Sequence, residues 1–263
     1  MDVGGTRLRL RTGGEGPGLL MLHGFGSGVD GWPSDGLEAL SRRRSILAID
    51  LPGHGASDPI ASQLPTPEWV VSVIVEVARD ILGDDPVEWY GYSMGARIAL
   101  SALRLGASVR SLALESPNPG LDDQDALEAR VARDLAWAER FEESADGAAL
   151  DAWLKQPIFA TRQQVDERES RRQRRVRERA DSGSLGAWLR GFGTGVMPST
   201  WRTLEAFGGP VRILVGELDS KYVGLADRIL EVREDAQVVV VPGVGHAPHI
   251  EAPEVWQHWV CGP

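Results

Sequence analysis

Short apolar runs alternate with helical patterns along the chain. Seven runs of four to seven residues have the composition of strands, and several are almost wholly apolar, as strands buried on both faces of a parallel sheet are. These runs are Leu8–Arg11, Leu19–Leu22, Ser45–Asp50, Val87–Tyr92, Val109–Glu115, Val211–Val215 and Gln237–Val241. Because strands and helices alternate, we expect an α/β fold with a mostly parallel, doubly wound sheet.

One helix start is marked clearly. Thr66, Pro67 and Glu68 provide a capping hydroxyl, a proline suited to the first helical position and an acidic first turn. The apolar residues that follow recur at helical spacing and predict one buried face; they are Val70, Val73, Ile74, Val77 and Ile81.

The alternation stops between about residues 117 and 208. No strand pattern occurs there, and four tryptophans lie among helix-forming residues: Trp137, Trp153, Trp188 and Trp201. We therefore expect a core made of residues 1–116 and 209–263, interrupted by an all-helical insertion at 117–208. In such folds ligands bind at the carboxyl ends of the strands, so the insertion is expected to cover that edge as a cap.

The net charge limits the partners. The chain of 263 residues carries a formal charge of -10, and its isoelectric point is about 5.1. A polyanion would be repelled by this mean field, so neither nucleic acid nor an anionic membrane is expected as a partner. A cluster of seven arginines between Arg168 and Arg179 is interleaved with acids, which favours a solvated, ion-paired helix with one or two arginines facing inward.

Cysteine and histidine usage points to a cytoplasmic protein without a dedicated metal site, and no cofactor is expected. The single Cys261 allows no internal disulfide, and the chain has no apolar run long enough to span a bilayer. No spacing typical of a metal site is present, so His23, His54 and His258 are interpreted as turn or surface residues rather than ligands.

Ser93 lies in a motif that is informative in its context. Gly91-Tyr92-Ser93-Met94-Gly95 fits G-x-S-x-G between a predicted strand and a helical pattern, which is the setting of a nucleophile elbow. Small residues are needed two positions from the serine because the turn is tight. A capping role at the helix start is the alternative interpretation of Ser93.

An acid and a histidine follow Ser93 in the chain. Asp219 comes just after one predicted strand, and His246 comes after the last one. Each alone has an ordinary explanation as a loop residue. Together the order serine, acid, histidine at the ends of strands predicts a catalytic triad.

A glycine-rich segment, Leu22–Gly26, follows an earlier strand. The backbone amides of Phe25 and Met94 are expected to form an oxyanion hole, although the segment is also explained by a tight turn. Residues 50–57, DLPGHGAS, are also rich in turn formers and are interpreted as scaffold.

Five segments together resemble the α/β-hydrolase superfamily over nearly the whole chain: HGFGSG, DLPGHGASD, GYSMGARIAL, GELD and GHAPHIEAPE. A narrower set is similar to the 2-succinyl-6-hydroxy-2,4-cyclohexadiene-1-carboxylate synthases of menaquinone biosynthesis. It comprises ESPNPGL, ARVARDLAWAERF, WLKQPIF, LRGFGTGVMPSTW and GELDSKY. Most of these segments lie in the predicted cap, which selects the substrate.

The resemblance implies a lyase that eliminates pyruvate from a polycarboxylate, with Ser93 as a proton-abstracting base. It also implies a substrate site containing Tyr92, Arg97, Arg130, Trp153 and Arg177. Guanidinium groups suit such a substrate because their forked donors match carboxylates. The register of Arg177 is open, since Arg174 and Arg179 lie in the same cluster.

Two positions depart from the family pattern. Ala96 replaces a glycine after the elbow, and Met197 replaces a glutamine that would offer a polar contact. The competing interpretations are a serine esterase or carbon–carbon bond hydrolase with the same triad, and a binding protein without catalysis. An apolar ester would need no arginines in the site, whereas a tricarboxylate needs several.

Overall fold

A seven-stranded sheet forms the centre of the computed structural model, which describes residues 1–61, 63–144 and 147–262. Two short antiparallel strands, β1 (Asp2–Val3) and β2 (Thr6–Arg7), precede it. The strands of the sheet are β3 (Leu10–Gly13), β4 (Gly18–Leu22), β5 (Ser45–Ile49), β6 (Val87–Tyr92), β7 (Val109–Glu115), β8 (Val211–Gly216) and β9 (Gln237–Val241). Their spatial order is β3-β5-β4-β6-β7-β8-β9, and only β3 runs antiparallel to its neighbour.

The strand predictions are confirmed with one exception. Three strands have the predicted bounds, and three others differ by a single residue at one end. The strand predicted at Leu8–Arg11 is wrong in position, because β3 begins at Leu10. Leu8 N donates instead to Met1 O, and Arg9 N donates to the Ser57 hydroxyl, so regular pairing with β5 starts only at Leu10, although Arg9 O still accepts from Asp50 N at 2.9 Å.

The helices alternate with these strands. They are α1 (Ser34–Ser41), α2 (Pro67–Leu82), α3 (Met94–Arg104), α4 (Gln124–Glu143), α5 (Ala148–Leu154), α6 (Glu167–Arg177), α7 (Ser182–Phe192), α8 (Trp201–Ala206), α9 (Ser220–Val232), α10 (Pro248–Glu251) and α11 (Pro253–Cys261), with 3₁₀ helices at Val29–Gly31 and Pro157–Gln164. The predicted start of α2 is confirmed, since the Thr66 hydroxyl accepts from Trp69 N at 3.3 Å.

Helices cover both faces of the sheet. Ile74 of α2, Ile98 of α3 and Ile229 of α9 belong to the apolar cluster on one face. Leu37 of α1 and Trp256 of α11 belong to the cluster on the other face. The central strands β4 and β6 are therefore buried, as their apolar sequences predict, whereas β9 at the edge leaves Val239 and Val240 about two-fifths exposed.

Between β7 and β8, the described residues form helices and no strand. Trp137 and Trp153 form a small separate cluster with Phe141, whereas Trp188 and Trp201 pack in the main apolar cluster beside the sheet. The later helices of the predicted insertion are thus joined to the core by apolar contacts. No helix in the described part of the chain is both long and apolar enough to cross a membrane.

Candidate active site

Ser93 occupies a strained turn between β6 and α3. Its φ of 51° lies in the left-handed region, which non-glycine residues seldom adopt. A Cβ on Gly91 would approach the Gly95 carbonyl carbon to 2.4 Å, and a Cβ on Gly95 would approach Leu22 O to 2.0 Å. Glycine is therefore required on both sides of the serine, while Ala96 is fully buried without needing this freedom.

Three side chains form a continuous hydrogen-bonded chain at this edge of the sheet. Ser93 Oγ lies 2.9 Å from His246 Nε2, and His246 Nδ1 lies 2.6 Å from Asp219 Oδ2. Asp219 follows β8 and His246 follows β9, so the parallel strands bring the three residues to one place. Burial lowers the pKa of His246, and the adjacent Asp219 carboxylate opposes that effect.

The loop of His246 is held by two side chains that sequence reasoning missed. The Ser116 hydroxyl donates to His246 O at 3.0 Å. The Glu251 carboxylate accepts from Gly245 N at 2.8 Å and from Ala247 N at 3.1 Å. Glu251 lies within the GHAPHIEAPE segment and Ser116, which also has a positive φ of 48°, lies within ESPNPGL, but neither segment indicates that these side chains hold the loop of His246.

A buried glutamate links the serine turn to the same loop. Glu115 O, at the end of β7, accepts from Ser93 N at 2.9 Å. Its carboxylate accepts from His249 N at 2.9 Å, lies 2.8 Å from His249 Nδ1, and accepts a short hydrogen bond from the Tyr90 hydroxyl. Ser93 and the segment after His246 are therefore positioned by one residue.

Of the two backbone amides predicted as an oxyanion hole, that of Met94 directly follows Ser93 in the chain, and that of Phe25 lies in the loop after the neighbouring strand β4. Met94 is the first residue of α3, so its N–H has no intrahelical acceptor. Gly24 O is fixed by Ser27 N at 3.1 Å and by His23 Nδ1 at 2.8 Å. Gly24 O and the Phe25 N–H belong to one trans peptide unit and therefore point in opposite directions. The Phe25 N–H thus faces away from Ser27 and His23.

His23 and His54 lie in loops, in line with their interpretation as turn residues, but both are buried rather than exposed. His23 is 1% exposed, and its Nε2 accepts from Leu51 N at 3.0 Å. His54 is fully buried, with its Nδ1 3.1 Å from Pro52 O. Burial lowers the pKa of both, that of His54 to about 3, so both rings are neutral supports of the loop that contains Phe25. His258 is exposed, as predicted.

Arg97 and Arg130 lie near each other on α3 and α4. Arg97 is 9% exposed and donates to Phe192 O at 2.6 Å, but it forms no ion pair with an acid of the described residues. Burial and the nearby Arg130 charge lower its pKa to about 10. Arg130 is half-buried and, in contrast, has its own counterion, since its Nε donates to Asp134 at 2.7 Å.

Arg177 differs from its neighbours in the arginine cluster. Arg174 pairs with Glu178 and Arg179 pairs with Asp30, both at the surface. Arg177 is 7% exposed, and within the described ranges its guanidinium has neither an ion pair nor a hydrogen bond. Burial and the charge of Arg162 lower its pKa to about 9. Of the three registers, only this one places an arginine inside the protein.

Arg162 was not predicted, yet it lies beside the serine turn. It belongs to the 3₁₀ helix Pro157–Gln164, and its Nη2 donates to the Tyr92 hydroxyl at 2.8 Å. The Tyr92 ring is buried 5.5 Å from the His246 ring. Nothing in the spacing of the chain relates Arg162 to Tyr92, because the contact depends on how the insertion folds over β6.

The remaining predicted residues are aromatic or apolar. The Trp153 ring packs 4.8 Å from the Phe25 ring, so it joins the helical insertion to the predicted oxyanion loop. Tyr222, next to Lys221 on α9, lies 4.5 Å from the His246 ring. Met197 is buried in the main apolar cluster and offers no polar contact. Within the described ranges no group of three or more potential ligands is arranged to hold a metal ion.

Comparisons with known proteins agree with this geometry. A model described as the alpha/beta hydrolase family matches residues 19–256. A 2-succinyl-6-hydroxy-2,4-cyclohexadiene-1-carboxylate synthase of an Enterobacter species is 32% identical, over 93% of this chain and 91% of its own length. The protein of the same name from Klebsiella pneumoniae is 31% identical, over 90% of this chain and 89% of its own length.

Solved structures show the same fold. A structure of MenH from S. aureus has a TM-score of 0.88 at 24% identity, over 95% of this chain and 94% of that one. A thermophilic esterase from Thermogutta terrifontis, solved with malate bound, has a TM-score of 0.77 at 22% identity, over 97% of this chain and 92% of that one. The chain therefore belongs to the alpha/beta hydrolase family, and within it groups with the 2-succinyl-6-hydroxy-2,4-cyclohexadiene-1-carboxylate synthases.

Proposed function

We propose that this protein is a lyase that eliminates pyruvate from 2-succinyl-5-enolpyruvyl-6-hydroxy-3-cyclohexene-1-carboxylate and forms 2-succinyl-6-hydroxy-2,4-cyclohexadiene-1-carboxylate. The reaction belongs to menaquinone biosynthesis, as in the relatives of that name. The observation that carries the proposal is the pair of buried guanidinium groups of Arg97 and Arg177. Neither forms an ion pair with an acid among the described residues, and a substrate with three carboxylates would supply the counterions.

Ser93, His246 and Asp219 act in this proposal as one proton-transfer unit. Asp219 orients His246 through Nδ1, and Nε2 takes the proton of the Ser93 hydroxyl. The serine oxygen in turn removes the proton from the ring carbon beside the succinyl ketone. Electrons then shift through the ring double bond, and the carbon–oxygen bond breaks so that the leaving group departs as the enolate of pyruvate. This enolate takes up, on its methylene carbon, the proton that His246 holds, and pyruvate results while Ser93 keeps the proton from the ring carbon.

The negative charge of the enolate needs stabilisation at the ketone oxygen. The N–H groups of Phe25 and Met94 are the proposed donors, because neither is used by a helix or by the contacts that fix Gly24. Loss of one such donor costs about 3 to 4 kcal/mol in enzymes where it has been measured. The chemistry requires no water, metal or cofactor, since the proton and the leaving group both come from the substrate.

A coupled assay for pyruvate tests the proposal. We expect the purified protein to release pyruvate from the precursor without added metal or nucleotide, and to do so much faster than it hydrolyses p-nitrophenyl acetate. Hydrolysis of a panel of p-nitrophenyl esters without pyruvate release from the precursor would identify a serine esterase instead. Absence of both activities would favour a binding protein.

The pH dependence of kcat/KM should report the protonation of His246. The imidazole must be neutral to accept the Ser93 proton, so kcat/KM should fall as the pH drops through the pKa of His246. Burial lowers that pKa from the ordinary 6.5, and therefore the midpoint of the acid limb should lie below pH 6.5. Measurement of kcat/KM between about pH 4.5 and 8 checks this. A midpoint at or above 6.5 would contradict the assignment of His246 as the base partner.

A further inference from the structure

The 3₁₀ helix Pro157–Gln164 covers the loop that contains His246. A Cβ on Gly245 would meet the Thr161 side chain at 2.0 Å, so the two segments touch. The Phe159 ring lies 6.1 Å from the His246 ring, and the guanidinium of Arg162 lies 4.6 Å from the centre of the Phe159 ring. Arg162 is therefore placed above the residues proposed to move the proton.

The Arg162 guanidinium is only partly used by the protein. Its Nη2 donates to the Tyr92 hydroxyl, but its Nε is buried without an acceptor in the described part of the chain. No acidic side chain there forms an ion pair with it. Arg162 as a whole is half-buried, but a donor that is itself shielded from water, as this Nε is, usually has a partner, because an unpaired polar group is costly there.

Tyr92 offers another donor at the same point. Its hydroxyl accepts from Arg162, and burial raises its pKa, so the phenol keeps its own proton. No acceptor for that proton is found within the described ranges. The charges of Arg162 and Arg177 lower the pKa of this hydroxyl, against the opposite effect of the Glu115 and Glu251 carboxylates, and the two guanidinium groups also repel each other. Unpaired donors from two guanidinium groups and one hydroxyl therefore lie around one point, which is the environment that a carboxylate requires.

We infer that Arg162 is a substrate-binding residue that, together with Arg177 and the Tyr92 hydroxyl, holds one carboxylate of the substrate. This inference rests on the proposed function for the identity of the substrate. The charge of Arg130 lowers the pKa of Arg97, and both charges act on Tyr222, whereas the charges of Arg162 and Arg177 act on Tyr92, so the four arginines fall into two basic groups. The substrate would then be held by carboxylates at two places, which fixes its ring carbon against Ser93.

Arg162→Leu should raise the KM for the precursor by about 30-fold or more, because a charged hydrogen-bonding partner of a buried carboxylate is lost. p-Nitrophenyl acetate has no carboxylate for Arg162 to bind. Its turnover should therefore change less than threefold, because Arg162 takes no part in the proton transfer. Arg162→Lys should recover part of the loss, since it keeps the charge but not the fork. Arg168→Leu, an exposed arginine of α6, is the matched control and should leave both activities unchanged.

A purely structural role of Arg162 would be to hold the Tyr92 ring. In that case Tyr92→Phe would raise the KM for the precursor as much as Arg162→Leu does, and the double variant would raise it no further than either single variant. That result, or an unchanged KM in Arg162→Leu, would overturn the inference while the proposed function stands.

If the wild-type protein releases no pyruvate, the proposed function fails, and binding of succinate decides the inference separately. Tryptophan fluorescence can follow the titration, since Trp153 lies beside Phe25 in the site. Weaker succinate binding by about tenfold in Arg162→Leu would support the carboxylate site. Equal binding by the variant and the wild type would reject it.

Discussion

Ser93→Ala should abolish pyruvate release, lowering kcat by about 10⁴-fold or more while the protein stays folded. Only the hydroxyl is removed, and among the described residues its one side-chain hydrogen bond is with His246 Nε2 at 2.9 Å. Alanine keeps the Cβ that the turn already tolerates at a φ of 51°. Single-turnover measurement of pyruvate with excess enzyme, beside a thermal melt of each variant, separates loss of chemistry from loss of fold.

The same experiment tests whether Ser93 and His246 form one unit. His246→Ala should lose about as much as Ser93→Ala, and the double variant should lose no more, because removal of either member stops the same proton transfer. Pyruvate release undiminished in Ser93→Ala would refute the mechanism. Intact mass measured during turnover should show no adduct on Ser93 with the precursor, since a base forms no covalent bond; an accumulating acyl adduct would identify a nucleophile instead.

The positions of most strands along the chain and the elbow could be predicted because both depend on local sequence. The apolar run Val87–Tyr92 can be satisfied only in a buried strand, and the glycines beside Ser93 are needed by the turn that follows. Parallel strands then bring Asp219 and His246 to the same edge without further information. The strand predicted at Leu8–Arg11 was wrong in position because Leu8 pairs with Met1 instead. The composition of an apolar run does not show which segment it pairs with.

Residues whose roles depend on contact between the core and the insertion could not be predicted in the same way. Arg162 meets Tyr92 across 70 positions of sequence, and the two reside on different elements. His54 is buried partly because Trp188 of α7 packs 5.7 Å from its ring. A loop histidine is exposed by default, and only the folded insertion changes that expectation. A local sequence pattern does not show which part of the core the helical insertion covers.

Arg130 illustrates a different limit. The family pattern implies that Arg130 belongs to the substrate site. A match in sequence position, however, does not show how much of the Arg130 charge is already compensated by other residues of the protein. Asp134, one helical turn further along α4, accepts from its Nε at 2.7 Å. Part of the Arg130 charge is therefore compensated within the helix. We therefore expect the unpaired Arg97 to contribute more to substrate binding than Arg130 does.

Arg97→Leu should lower kcat/KM for pyruvate release by about 10³-fold, because one carboxylate of the substrate would be left buried without a partner. Arg97 lies one turn beyond Ser93, is 9% exposed and has no acidic partner in the described part of the chain. Burial of the Arg97 charge is unfavourable in the free protein, and for this reason its pKa is lowered to about 10. A substrate carboxylate would stabilise the buried charge, so binding of the substrate is favoured. Steady-state kinetics with the precursor and with p-nitrophenyl acetate measure the effect.

The comparison of the two substrates excludes a trivial explanation. Arg97 also donates to Phe192 O, so the variant could shift α7, and a thermal melt must accompany the kinetics. A shift of α7 would disturb both substrates, whereas loss of a carboxylate partner should affect only the precursor. Arg104→Leu removes an arginine of the same helix that is already paired with Glu68, and it should leave both activities unchanged. If Arg97→Leu kept the wild-type kcat/KM for the precursor, the buried cation would have no part in substrate recognition, and the argument from unpaired arginines to a polycarboxylate would fail at its strongest point.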